Sequence, residues 1–323
     1  MKIVVLNESF LSPDHLRELE KLGELKVYTD TNGQSQAIER LAGADIAIGD
    51  CFFAPFDAEF FLALPRLKLL CINSTGFDSV DLRSASQNGT SVANVPNFST
   101  EAVAEHTFAL LLALIRSIPP LDAQMRKNIF EIVPADPEVS DYCGFELQGK
   151  TLGIIGLGAI GRRVSEIGHA FGMKVIAYNR SPTEGHAAQV SLEDLLRSSD
   201  VVSLHSALAP NLENLINAEK IALMKPTAVL INTARGKMVS TEALYAALKE
   251  KQIKGAGLDV IGPGEHAQAL AALSNVIVTP HSAFYTQEAT QTMADIISLN
   301  VKNFVAGKPQ NIVNEKTVES SNE

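Results

Sequence analysis

The stretch TLGIIGLGAIG, residues 151–161, decides the fold. A short apolar run, Leu152 to Ile155, reads as a buried strand, and it leads without a break into Gly156, Gly158 and Gly161 at G-x-G-x-x-G spacing. The apolar pattern then changes from strand-like to helical over about 159–171, so the glycines fall on a strand-to-helix turn. In that setting Gly156 allows a tight turn, Gly158 lets the backbone approach a pyrophosphate, and Gly161 lets helix and strand pack closely. The helix start, with Ala159 and Ile160, offers N–H groups and a positive dipole end to phosphates. The stretch therefore predicts a dinucleotide-binding βαβ unit.

Working outward, strands are expected at 174–178, 201–204, 228–232, 255–258 and 276–278. Helices at about 192–198, 218–224 and 241–251 would connect them. Before the glycine turn a similar alternation runs through strands near 3–6, 25–28, 46–49, 69–72 and 92–95 and helices near 13–22, 34–42, 57–64 and 79–88. Ser12 before Pro13 has the form of a helix N-cap followed by proline at the first helical position. Two such series predict an α/β chain with two doubly wound parallel-sheet domains. Between them lies a helix over 100–115 that is apolar all round and so must be buried, with Pro119 and Pro120 as its stop. Residues 121–148 are weakly patterned and read as an extended arm. A last helix over 286–304 carries the chain back towards the first domain.

Composition narrows the function. The 323 residues are 46% hydrophobic but only 6% aromatic, with no tryptophan, so the cores are built from Ala, Val, Ile and Leu. The 27 Lys plus Arg against 37 Asp plus Glu give a net charge of −10, which disfavours a nucleic-acid partner. Cys51, Cys71 and Cys143 lack the spacing of a disulfide framework or a zinc site, so no metal is expected and a reducing, cytoplasmic setting fits. The apolar run at 3–6 is too short for a signal-peptide core, and the run at 108–115 is too short to span a bilayer.

The end of the strand at 174–178 bears on the cofactor. A carboxylate that would bond a ribose 2′-hydroxyl is expected about 20 residues after the glycines. The sequence there is YNRS, with Asn179, Arg180 and Ser181. Arg180 and Ser181 suit a 2′-phosphate and favour NADP, with NAD, held through its other groups, as the alternative.

Several motifs together resemble the D-2-hydroxyacid dehydrogenases. They are NSTGFDSVD at 73–81, NVPNFSTEAVAEHTFALLL at 94–112, the glycine turn, INTARG at 231–236, GLDV at 257–260 and TPHSA at 279–283. The resemblance reaches about residue 313. It implies a flavodoxin-like substrate domain from 1–98 and 284–323 and a Rossmann dinucleotide-binding domain from 99–283. It also implies hydride transfer between a nicotinamide cofactor and a small 2-oxo or D-2-hydroxy acid of the glyoxylate, hydroxypyruvate or pyruvate type. The apolar helix over 100–115 and the arm after Pro119 suggest a homodimer. The run after the TPHSA histidine looks more like the D-lactate side of the family, whereas NFST at 97–100 leans towards the glyoxylate and hydroxypyruvate reductases.

By the same resemblance Arg235 grips the substrate and His281 is the general acid. Thr75, Gly76 and Tyr285 join Arg235 at the substrate. His205, Thr233, Ala234, Asp259 and His281 line the cofactor, with Asp259 receiving the carboxamide. Two positions depart from the pattern. The glutamate expected five residues after Asp259 is replaced by Gly264, and Glu265 follows it, so either the loop bulges to bring Glu265 to His281 or no carboxylate supports the ring. HSALAP at 205–210 lacks the usual proline and threonine at Ala207 and Ala209. A competing reading is a dinucleotide-sensing binding protein similar to the C-terminal-binding corepressors, against which the presence of both Arg235 and His281 argues.

Overall fold

The computed structural model describes residues 1–7, 10–50, 54–127, 142–179, 186–208 and 210–314. The chain divides into two compact units, Met1–Phe98 with Tyr285–Glu323, and Ser99–Phe284.

The first unit alternates β1 (Lys2–Val5), α1 (Pro13–Glu20), β2 (Glu24–Val27), α2 (Gln34–Leu41), β3 (Ile46–Gly49), α3 (Ala58–Ala63), β4 (Leu69–Ile72), α4 (Leu82–Gln87) and β5 (Ser91–Ala93). Its strands are all parallel, in the order β2-β1-β3-β4-β5. That is the flavodoxin-like order. Side chains alternate between two buried clusters. Ile3, Val5, Ile46, Ile48 and Leu69 enter one, while Val4, Ala47, Leu70 and Ile72 enter the other with Phe56, Phe60 and Phe61. Burial on both faces is why these strands read as continuous apolar runs. Side-chain caps fix the helix starts: Ser12 Oγ accepts the N–H of His15, while His15 Nδ1 accepts the N–H of Ser12 at 3.2 Å. Asp57 likewise caps α3 through the N–H of Phe60.

The second unit begins with α5 (Thr100–Ile115) and α6 (Ile118–Met125). Then follow β6 (Thr151–Ile155), α7 (Ala159–Ala170), β7 (Lys174–Tyr178), β8 (Ala188–Gln189), α8 (Leu192–Ser198), β9 (Val201–Leu204), α9 (Ala218–Ile221), β10 (Val229–Asn232), α10 (Thr241–Lys249), β11 (Gly255–Leu258), α11 (Ala267–Ala271) and β12 (Val276–Val278). The parallel sheet runs β12-β11-β10-β9-β6-β7-β8. Counted from β6, this is the dinucleotide-binding order with one strand added, and it reverses direction between β6 and β9. The helix α5, expected to be apolar all round, is largely buried and packs on β10, β11 and α7, while Glu101 and Glu105 face outward.

One local expectation is corrected, and two short elements were not expected. Residues 121–125 are helical, because Pro119 and Pro120 lie in the first turn of α6, where proline starts a helix as readily as it ends one. The two-residue strand β8 is exposed and carries no apolar signal. The five-residue α11 is too short to establish a period. Most of the expected arm, 128–141, lies outside the described residues, as do Cys51 and the tail from 315 onward.

After the second unit the chain re-enters the first through α12 (Gln287–Val305), capped by Thr286. Met293, Ala294, Ile297 and Val301 fill the cluster that holds Ile3 and Val5. Beyond it Asn314 ties down β5: its Oδ1 accepts the Val92 N–H at 2.9 Å and its Nδ2 donates to the Thr90 carbonyl at 2.8 Å. No single helix among the described residues is long and apolar enough to cross a membrane.

Candidate active site

The glycine turn follows β6 at the reversal point of the second sheet. Gly156 has φ +96°, and an added β-carbon would stand 2.7 Å from the Ser206 nitrogen, in the loop that follows β9. Its own N–H donates to the Tyr178 carbonyl at 2.9 Å. A β-carbon on Gly161 would lie 2.1 Å from the Gly156 carbonyl oxygen, so α7 rests directly on the turn. Gly158 is the opposite case: among the described residues nothing lies within 4 Å of an added β-carbon, and as N-cap of α7 it provides no side-chain cap. An open cradle faces the uncapped start of a helix, which fits a pyrophosphate.

Two side chains border this turn. At the end of β7, Asn179 Oδ1 accepts the Leu157 N–H at 3.2 Å, so an amide occupies the carboxylate position. Arg180 and Ser181 lie outside the described residues. At the end of β9, His205 Nε2 is 2.8 Å from Ser203 Oγ, and its buried Nδ1 has no partner among the described residues. Burial pushes the His205 pKa down to about 3, so the ring is neutral under working conditions. An unsatisfied buried nitrogen beside the glycine turn is a second feature that fits a bound dinucleotide.

The next three strands each deliver a turn at the same carboxyl edge, since β10, β11 and β12 are parallel neighbours. After β10, Asn232 bridges its turn by accepting the Ala234 N–H at 3.0 Å and donating to the Arg235 carbonyl at 3.0 Å. Thr233 is buried with its hydroxyl 3.1 Å from that of Thr107 on α5. Arg235 is half-buried, and its Nη1 donates to the Ala234 carbonyl at 3.0 Å. Gly236 is required by close approach: an added β-carbon would lie 2.4 Å from the Ile261 carbonyl carbon in the loop after β11.

After β11 comes Asp259, whose side chain is fully buried. Its Oδ1 accepts the Thr279 hydroxyl at 2.6 Å and the Ser282 N–H at 2.9 Å, and its Oδ2 accepts the Ala283 N–H at 3.0 Å. These bonds shape the turn after β12 that presents His281. That residue has φ +54°, a left-handed conformation costing a histidine on the order of 1 kcal/mol. Its N–H meets the Asp259 carbonyl at 2.9 Å and the Thr279 carbonyl at 3.0 Å. The His281 ring lies edge-on to Phe284 at 6.3 Å. A cavity of about 480 Å³ is lined by residues 259–261 and 278–281.

Glu265 is exposed, and no hydrogen bond or ion pair joins it to His281. The space beside Gly264 is occupied by another carboxylate, because an added β-carbon there would stand 2.3 Å from Glu242 Oε1. Neither Glu242 nor Asn232, which shapes the Arg235 turn, is singled out by sequence reasoning. Asn232 falls inside the INTARG run, and its place at the end of an apolar strand is the local signal for its turn-bridging role.

Thr75, Gly76 and Tyr285 belong to the first unit. The Thr75 hydroxyl donates to the Val95 carbonyl at 2.7 Å, and Asn94 Nδ2 donates to the Thr75 carbonyl at 2.8 Å. Among the described residues no backbone carbonyl accepts the N–H groups of Thr75 and Gly76. Tyr285 is exposed and stands 5.8 Å from the ring of Phe10.

Comparison with known proteins agrees with this architecture. The family described as D-isomer specific 2-hydroxyacid dehydrogenase, NAD binding domain, matches residues 108–283. A glycerate dehydrogenase of Methylorubrum extorquens is 40% identical over 316 residues, 97% of this chain and 98% of the relative. A glyoxylate reductase of Thermococcus litoralis is 36% identical over 315 residues, 95% of each chain. Among solved structures, an acyclic imino acid reductase in complex with NADPH and D-Arg superposes with TM-score 0.89 at 35% identity, over 97% of this chain and 100% of its own. The glycine turn at the sheet reversal, the Arg235 and His281 turns and these likenesses agree: the chain belongs to the D-isomer specific 2-hydroxyacid dehydrogenase family, and is an oxidoreductase that moves a hydride between a nicotinamide dinucleotide and a 2-oxo or 2-hydroxy acid.

Proposed function

We propose that the chain reduces a small 2-oxo acid of the glyoxylate or hydroxypyruvate kind to the D-2-hydroxy acid, using NADPH in preference to NADH. The observation that carries this reading is the delivery of Arg235, Asp259 and His281 by turns after three neighbouring parallel strands. The first residues of α7 and the turn from Gly156 to Gly161 would hold the pyrophosphate. Asn179, Arg180 and Ser181 would hold the adenosine ribose, and His205, Thr233, Ala234 and Asp259 the nicotinamide side. When bound, the reduced nicotinamide supplies hydride to the carbonyl carbon.

The protein's own groups do the rest. The Arg235 guanidinium presents parallel N–H donors that match a carboxylate and its neighbouring carbonyl oxygen. Thr75 and Gly76 offer further N–H donors to a carboxylate. As negative charge grows on the carbonyl oxygen, the His281 imidazolium gives up its proton to it. Glu265 is the proposed carboxylate support only if the 261–266 loop moves, since it makes no bond to His281 in the structure.

Preference for NADPH is supported by Asn179, which repels no 2′-phosphate, and by the basic residue that follows it. The likeness to an imino acid reductase favours a second reading, reduction of the imine formed from a 2-oxo acid and an amine. Loss of reduced-cofactor absorbance, followed with NADPH and NADH across glyoxylate, hydroxypyruvate and pyruvate, with and without added amine, separates these readings. Turnover of the acid alone, fastest with glyoxylate or hydroxypyruvate and NADPH, is expected. Turnover only when amine is present would replace the first reading by the second. The chain is also proposed to act in the cytoplasm as a homodimer, which light scattering would refute by showing a monomer mass at every concentration.

A further inference from the structure

His106, near the middle of α5, belongs to no motif role assigned above. Its Nε2 lies 3.0 Å from Thr279 Oγ1 and 3.6 Å from Asp259 Oδ1. Bond direction in this group is fixed by valence. The Asp259 carboxylate only accepts, so the single Thr279 hydroxyl hydrogen is committed to Asp259 Oδ1 at 2.6 Å. Thr279 Oγ1 can therefore only accept from His106, and Nε2 carries a hydrogen in either protonation state of the ring.

The neighbouring residue on the same helix does a parallel task. Thr107 meets the Thr233 hydroxyl in the turn that bears Arg235, while His106 meets Thr279 at the start of the turn that bears His281. Consecutive residues of one buried helix thus fasten both turns. The His281 turn needs such fastening, because its left-handed backbone is held by the Asp259 and Thr279 carbonyls and by the Asp259 carboxylate.

We propose that His106 is a positioning residue for the reaction: donating through Nε2 to Thr279, it locks the Thr279–Asp259 pair and so sets where His281 stands. The proposal rests on His281 as the proton donor.

The test compares His106→Gln, His106→Phe, Thr279→Val and His281→Ala in the full chain. The readouts are kcat, KM for the 2-oxo acid, NADPH dissociation constant by cofactor fluorescence, and Tm. Separately, ¹⁵N NMR of the wild-type histidine rings identifies which nitrogen of His106 bears hydrogen. We expect a hydrogen on Nε2. Both His106→Phe and Thr279→Val should lower kcat about tenfold or more while the NADPH dissociation constant stays within about threefold. The glutamine amide, which can still donate to Thr279, should restore kcat to within about threefold of wild type. If His106→Phe does not fold, the near-isosteric Thr279→Val carries the same comparison.

A bare Nε2 on His106 would overturn the proposal. So would wild-type kcat in His106→Phe or Thr279→Val beside an inactive His281→Ala, or failure of glutamine to rescue at unchanged Tm. Wild-type kcat in His281→Ala would instead remove the acid assignment on which the proposal depends.

Discussion

A β-carbon placed on Gly156 would stand 2.7 Å from the amide nitrogen of Ser206, whereas one placed on Gly158 would meet none of the described residues within 4 Å. Two glycines of one motif are therefore needed for different reasons, the first by the protein and the second by what binds to it. Gly156→Ala should destabilise the fold by about 1–3 kcal/mol, through its left-handed backbone and the clash. Gly158→Ala should leave Tm unchanged and weaken NADPH binding about tenfold or more, since its methyl group would fill the cradle. Thermal melts beside cofactor titrations check both. Unchanged NADPH binding in a well-folded Gly158→Ala would move the pyrophosphate elsewhere.

Burial of His205 makes stability depend on pH in a defined window. The unfolded ring takes up a proton near its ordinary pKa of about 6.5, while the folded ring, with a pKa of about 3, does not. Stability from this residue is thus complete above about pH 6.5 and lost progressively as pH falls towards 3. Between pH 7.5 and 5.5 the wild type should lose about 1 kcal/mol more than His205→Gln. Urea midpoints at the two pH values measure the difference, and parallel curves would show that the ring is not buried in neutral form.

Arg235→Lys keeps the positive charge but loses the planar fork. The expected result is a fall in kcat/KM for the 2-oxo acid of about a hundredfold, with NADPH binding unaltered. Steady-state kinetics with cofactor titration would reject the substrate role if NADPH binding fell and the KM for the acid did not.

For the loop carboxylate the prediction is a small effect. Because Glu265 is exposed and unbonded to His281, Glu265→Gln should retain kcat within about threefold and leave its pH profile in place. A loss of about a hundredfold, with a displaced basic limb, would show that the loop closes and that Glu265 supports the ring after all.

Cofactor preference can be probed at one atom. In Asn179→Asp an oxygen still faces the Leu157 N–H, so the turn is kept while a negative charge is added. KM for NADPH should rise about tenfold or more and that for NADH should rise far less. Equal effects on both would assign preference to residues other than 179.

The sheets were legible because of how they are covered. Strands such as Ile46–Gly49 and Leu69–Ile72 are buried on both faces, so each is an unbroken apolar run bounded by polar residues. Ala188–Gln189 sits exposed at a sheet edge and gives no such signal. Pro119 and Pro120 were ambiguous, since one residue type marks both the end of a helix and the beginning of the next. Site residues divide in the same way. Gly156, Gly158 and Gly161 act within a few positions of one another and can be read as a pattern. His106 and Thr279 are 173 positions apart, and Gly264 meets Glu242 from another element, so those contacts exist only once the chain has folded.

The return of the chain through α12 has a consequence for how the protein is made. Residues 99–284 are synthesised as a continuous block with their own sheet complete, whereas the sheet of 1–98 lacks Met293, Ile297, Val301 and Asn314 until residues 285–314 have been made. The second unit can therefore mature on the ribosome while the first waits with an apolar face uncovered. A nascent chain stopped before residue 285 would carry a finished nucleotide fold attached to an unfinished, aggregation-prone one, which gives cellular quality control a clear mark by which to recognise incomplete copies.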